Sequence, residues 1–153
     1  MVAFQKILCP VDFSECSREA LKYALHLTEI AHSQLIIISI IDGNIYEFGV
    51  GTIEKKDSRI KLMSNQELVD VIKVKLLERI PEKMRDKVCV MVKSGIPDVE
   101  IVKTAKEKDI DLIVMGTHGR SGILYFLVGS VAEKVSRKAP CPVMTVKVSQ
   151  IRI

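Results

Sequence analysis

The chain has 153 residues, 48% of them hydrophobic and 27% charged, a balance that suits a single globular domain over 1–153 and excludes a disordered chain. Its 23 Lys and Arg against 19 Asp and Glu leave a net charge of +4, but the basic residues alternate with acids and are not interleaved with aromatics, which argues against nucleic acid as a partner. The greasiest run, Leu35 to Ile41, is far shorter than the roughly 18 to 20 residues of a membrane span, and "MVAFQKILCPVD" meets charge and proline too early for a secretory signal, so a cytoplasmic protein without a membrane partner is expected.

In chain order, Phe4 to Cys9 reads as a first strand. Ser14 follows as a plausible N-cap, with Glu15 in the first turn and Ala20, Leu21, Ala24, Leu25 and Thr28 on one face, which predicts a helix of about five turns. "LIIISII" at 35–41 shows no alternation, so both faces of that strand should be covered. Asn44 to Arg59 reads as a mobile connection before a helix with the stripe Leu68, Val71, Ile72, Leu76 and Ile80, stopped by Pro81. "KVCVMVK" at 87–93 is a third strand, and Pro97 opens a helix with acids at its start and lysines toward its end. "DLIVM" at 111–115 is the fourth strand, a helix runs from about Ser130 to Lys138, and "CPVMTVKV" is the fifth strand.

Five strands alternating with four helices predict an α/β fold: an open, doubly wound, Rossmann-like parallel sheet with helices on both faces. Such sheets bind ligands at the carboxyl ends of the strands where the winding reverses. Two strand ends carry unusual chemistry, "CPVDFS" after the first and "MGTHGRSG" after the fourth. With strand order 3-2-1-4-5 these ends would be neighbours.

Gly116 follows a buried strand directly, with Gly119 and Gly122 at intervals of three, so the chain can turn with positive φ and present consecutive N–H groups. Gly129 precedes a helix start, where free amides and the dipole attract an anion. Arg120 would add positive charge, and the hydroxyls of Thr117, Ser121 and Ser130 would add donors, to a phosphate cradle in two parts. Ser130-Val131-Ala132-Glu133 also fits an ordinary capping box.

Neither G-x-x-x-x-G-K-[ST] nor a G-x-G-x-x-G after the first strand occurs, so Walker-type NTPases and nicotinamide dehydrogenases lose support. A receiver-type domain would want an aspartate after the third strand, which ends "VKSG". Cys9, Cys16, Cys89 and Cys141 lack metal or dithiol spacing and read as buried, reduced thiols. His118 lacks a positioned acid or nucleophile in the sequence, which favours backbone contact over general-base chemistry, and His26 and His32 read as surface residues.

"GTHGRSG" followed by "VGSVAEKV" has the spacing G-x2-G-x9-G-[ST], and with "ILCPVDFSECSREALKYA", "IDG" and "APCPVMTVKV" it resembles the universal stress protein family from about Phe4 to Val148. The resemblance implies the order 3-2-1-4-5, a homodimer through the C-terminal strand at about 142–148, and ATP binding, with Mg2+ carried by the phosphates. By matching positions, Pro10, Val11 and Asp12 would line base and ribose, and the Ile40 backbone would meet the adenine edge. Gly116, Thr117, His118, Gly119, Arg120, Ser121 and Gly122 would wrap ribose and phosphates, with Gly129, Ser130 and Val131 completing the cradle. One departure is the wholly apolar "ILYFLV" between Gly122 and Gly129, where the family often places polar residues. The function implied is an ATP-binding regulatory module of the stress response; the alternative is a slow ATP hydrolase of the related adenine-nucleotide superfamily, whose S-G-G-x-D-S and H-I-G-H signatures are missing near the first strand.

Overall fold

In the first strand, β1 (Lys6–Pro10), Ile7 and Cys9 join one hydrophobic core while Leu8 joins another, and all three are fully buried. A strand apolar on both sides must have both sides covered. The computed structural model, which describes residues 2–42, 65–118 and 128–148, shows how this is done.

β1 pairs in parallel with β2 (Gln34–Ile41) on one side and β4 (Leu112–Gly116) on the other; β3 (Val88–Ser94) lies beyond β2 and β5 (Val143–Val146) beyond β4. The order is 3-2-1-4-5, as the family resemblance implies. On one face, Ile7, Leu35, Ile37 and Val114 pack against Ala20, Leu21 and Ala24 of α1 (Glu15–Ala31) and Leu68, Ile72 and Leu76 of α2 (Asn65–Glu78). On the other, Leu8, Ile38, Ile113 and Met115 pack against Ile101, Val102 and Ala105 of α3 (Pro97–Glu107) and Ala132 and Val135 of α4 (Ser130–Lys138).

Local chemistry explains the boundaries. The Ser14 hydroxyl accepts from Ser17 N at 3.2 Å and caps α1, whose far end turns through His32 in the left-handed region at φ 52°. Pro97 is the first residue of α3, where its missing N–H leaves no gap. At the amino end of the sheet, the Asp111 carboxylate accepts from Gln5 N and Lys6 N, each at 2.9 Å, while Asp111 N donates to Lys6 O and Gln34 N to Gln5 O. These bonds staple the starts of β1, β2 and β4 together.

Four expectations need correction. α2 ends at Glu78 rather than at Pro81, which instead precedes a 3-10 turn, Glu82–Lys87, that inserts Met84 into the core. β5 pairs over four residues, because β4 ends at Gly116, whose partner is Val146. Cys89 is exposed and Cys141 half-buried, since both belong to the margins of the sheet; only Cys9 and Cys16 are buried. The N-cap of α4 is Gly129, not Ser130, which is the first helical residue, so the capping box is not formed. The connection expected from Asn44 to Arg59 lies outside the described residues.

Candidate functional site

From β1 the chain winds through α1 to β2, and from β3 it crosses through α3 to β4 on the opposite side of β1. The winding therefore reverses between β1 and β4, which are in register at Ile7↔Leu112 and Leu8↔Ile113. Their carboxyl ends form two walls.

The first wall is Pro10 to Ser17. Val11 N donates to Ile38 O at 2.8 Å, continuing the β1–β2 ladder by one rung. The chain then turns sharply: the Asp12 carboxylate accepts from Ser14 N at 2.9 Å, and Asp12 N donates to the Ser17 hydroxyl at 3.3 Å. Phe13 between them has φ 64°, a conformation that costs a residue with a Cβ about 1–2 kcal/mol. Its ring is buried in the α1–α2 core beneath the Arg79 guanidinium, 5.0 Å from the centroid, and that packing holds the turn. Ile40 belongs to this wall too. Ile38 turns its carbonyl toward β1, so Ile40, two residues on, turns its N–H and C=O the same way, beyond the last β1 rung.

The second wall begins at Gly116. A Cβ there would lie 2.7 Å from Cys16 Cβ and 2.9 Å from Ser17 N, so the glycine lets the first turn of α1 rest on the end of β4. The positive φ expected at Gly116 is absent: among described glycines only Gly95 has one, and Gly129, the N-cap of α4, sits at φ −61°. Thr117 is buried. Its N–H donates to Val146 O at 3.0 Å, its hydroxyl lies 3.4 Å from the same oxygen and 3.0 Å from His118 Nδ1, and its carbonyl accepts from Gly129 N at 2.6 Å. Thr117 thus enters this wall through its backbone, its hydroxyl being turned to β5 and His118. The walls meet where the Ser14 hydroxyl donates to His118 O at 3.5 Å.

The last bond fixes α4. A Cβ on Gly129 would meet Thr117 O at 2.7 Å, so the helix start is held against the end of β4 at a distance only glycine permits. The first intrahelical bond runs from Glu133 N to Gly129 O, which leaves the N–H groups of Ser130, Val131 and Ala132 without helical acceptors. Ser130 is exposed and Val131 half-buried. Such a helix end, with its partial positive charge, is suited to an anion. Beneath the walls, burial pushes the Cys9 thiol pKa well up and keeps the group protonated and inert.

Pro10, Val11, Asp12, Ile40, Gly116, Thr117, His118, Gly129, Ser130 and Val131 are thereby gathered at one end of the sheet, whereas Gly119, Arg120, Ser121 and Gly122 lie outside the described residues. His118 has a partner that sequence reasoning missed, the adjacent Thr117 hydroxyl. Ser14 and Ser17 were also missed as wall residues. The signal for Ser14, its place as a helix cap beside Asp12, was visible; its reach to His118 across 104 residues was not.

Comparison with known proteins fits this architecture. The universal stress protein family pattern matches residues 3–147. Universal stress protein MJ0577 of Methanocaldococcus jannaschii is 33% identical over 157 aligned positions, covering 95% of this chain and 96% of that protein. The solved structure of MJ0577 superposes with a TM-score of 0.76 at 31% identity, over 98% of this chain and 100% of the other. A crystal structure of a universal stress protein in complex with cAMP shares the fold, with a TM-score of 0.70 at 24% identity over 97% and 100% of the two chains. The reversal between β1 and β4, the glycine contacts at its walls and these matches over nearly the whole length agree, and the chain belongs to the universal stress protein family.

Proposed function

We propose that the protein is an ATP-binding regulatory module of the stress response, which holds its nucleotide with little turnover and works in the cytoplasm as a homodimer. The observation that carries this is the start of α4: three amides without helical acceptors, held by the Gly129–Thr117 bond beside the β1–β4 reversal. In this proposal the amides and the Ser130 hydroxyl take phosphate oxygens, the 119–122 segment with Arg120 wraps them, and any Mg2+ rides on the phosphates. Pro10, Val11 and Asp12 line the base and ribose, and the Ile40 backbone reads the adenine edge. The family relative solved with cAMP supports the adenine nucleotide class. These groups grip substrate and product alike, which favours retention over turnover.

The Thr117 hydroxyl beside His118 Nδ1 supports the alternative, slow ATP hydrolysis with His118 as general base, because it gives that ring an orienting partner. One experiment separates the two: purified protein in excess over labelled ATP and Mg2+, with ATP, ADP and AMP followed for an hour. ATP retained on the protein is expected. Conversion of the bound ATP within the hour, abolished by His118→Ala with binding intact, would establish the hydrolase instead. Ser130→Ala should weaken ATP in calorimetry by about three- to tenfold, the value of one hydroxyl bond, without moving the thermal midpoint.

A further inference from the structure

Among the described residues, Phe13, His32 and Asp109 carry a Cβ and yet have a positive φ. His32 and Asp109 follow the ends of α1 and α3 and are of types that tolerate this conformation, whereas Phe13 is an aromatic residue in a wall of the candidate site. Its left-handed turn lets Ser14 N reach the Asp12 carboxylate and the Ser14 hydroxyl reach His118 O. The ring is covered by Arg79, which is half-buried, sits just past the end of α2 and is aimed by the bond from its Nη1 to Lys75 O at 3.3 Å. That bond alone would make Arg79 an ordinary closing residue of α2. Its guanidinium, 5.0 Å from the Phe13 centroid, joins it to the Asp12–Ser14 turn as well.

We infer that Arg79 is a positioning residue for the candidate site: through the Phe13 ring it holds the Asp12–Ser14 turn in the form that takes nucleotide. This rests on nucleotide binding at that site. A slide of the ring within the core would relax φ at Phe13 without exposing the ring, so backbone strain and the ring–cation contact are what chiefly separate the two forms of the turn. They are opposite in sign and similar in size. Removing the cation therefore leaves the described form only partly populated, and the apparent affinity falls by that fraction. A lysine keeps a charge for the ring face, whereas an uncharged side chain of similar length keeps only the packing.

The test is calorimetry of the full chain with ATP, beside hydrogen exchange of the Ser14 amide read by NMR in the ligand-free protein. In Arg79→Met the ATP Kd should rise about three- to tenfold and Ser14 exchange should quicken about three- to tenfold, whereas loss of a helix-closing bond alone would lower the urea midpoint and leave both unmoved. Arg79→Lys should bring both back to within about twofold of the parent. Unchanged affinity in folded Arg79→Met, with heat in the parent, overturns the inference and leaves nucleotide binding standing. Weaker binding without faster Ser14 exchange overturns it too, because Arg79 would then act other than through the turn. So does a loss that Arg79→Lys does not recover, since the charge over the ring would not be the cause. No heat with ATP in the parent overturns both the inference and the nucleotide site. If Arg79→Met does not fold, the neutral and more polar Arg79→Gln takes its place with the same expected values.

Discussion

Gly116 shows how one residue can serve two explanations that predict different things. Its place in the glycine spacing suggests a phosphate contact, but the position of its missing Cβ, 2.7 Å from Cys16 Cβ, shows that the first demand on it is the close approach of α1. Gly116→Ala should therefore destabilise the ligand-free protein by about 1–3 kcal/mol in urea unfolding, the usual cost of overpacking. A glycine needed only for ligand would leave that midpoint unmoved. Cys9 makes a second prediction at this scale, through pH. Its folded pKa is raised by burial, so above the ordinary thiol value of about 8.5 the native state keeps a proton that the unfolded chain has lost. Stability then falls as pH rises past that value, with a slope of up to about 1.4 kcal/mol per unit. Cys9→Ala should start less stable, because of its cavity, and decline less steeply between pH 8 and 10; parallel declines would show that other groups are responsible.

At the scale of elements, the Ser14 cap shows the same overlap of stability and site. Ser14→Ala removes the bond to Ser17 N and should cost about 1 kcal/mol in thermal or urea unfolding, while also releasing the bridge to His118 O. Long elements with a strong period were legible in the sequence. The α1 face from Ala20 to Thr28, the unbroken β2 run and the proline start of α3 all appear where periodicity and capping place them. Features set by a neighbour were not. "VCVMV" reads as a buried strand, yet Cys89 is exposed because β3 is an edge, a fact of strand order rather than of local pattern. Likewise "VGSVAE" offers both Gly129 and Ser130 as a cap, and the bond from Gly129 N to Thr117 O, a tertiary contact, decides between them. The 3-10 turn at Glu82–Lys87 has one buried apolar residue, Met84, too few to show a period.

For the whole molecule, alternation of strands and helices was enough for the doubly wound class, but the order 3-2-1-4-5 came from the resemblance of the motifs, since alternation alone does not say on which side of β1 the fourth strand falls. The order leaves β5 at an edge, with Thr145 exposed, where the proposed homodimer would form. Thr145→Pro should give monomers on a sizing column with the circular dichroism of the fold retained; an unchanged dimer would move the interface elsewhere. The Asp111 staples sit at the opposite end of the same sheet from the candidate site. Asp111→Ala leaves two backbone donors without their carboxylate, and should lower unfolding free energy by about 1–3 kcal/mol while shifting the ATP Kd less than about twofold. A sheet tied at its amino ends can tolerate change at the exposed positions of its carboxyl ends. Such positions, Ser130 among them, should therefore accept side chains of altered ligand preference while the host's urea midpoint stays tied to the state of Asp111.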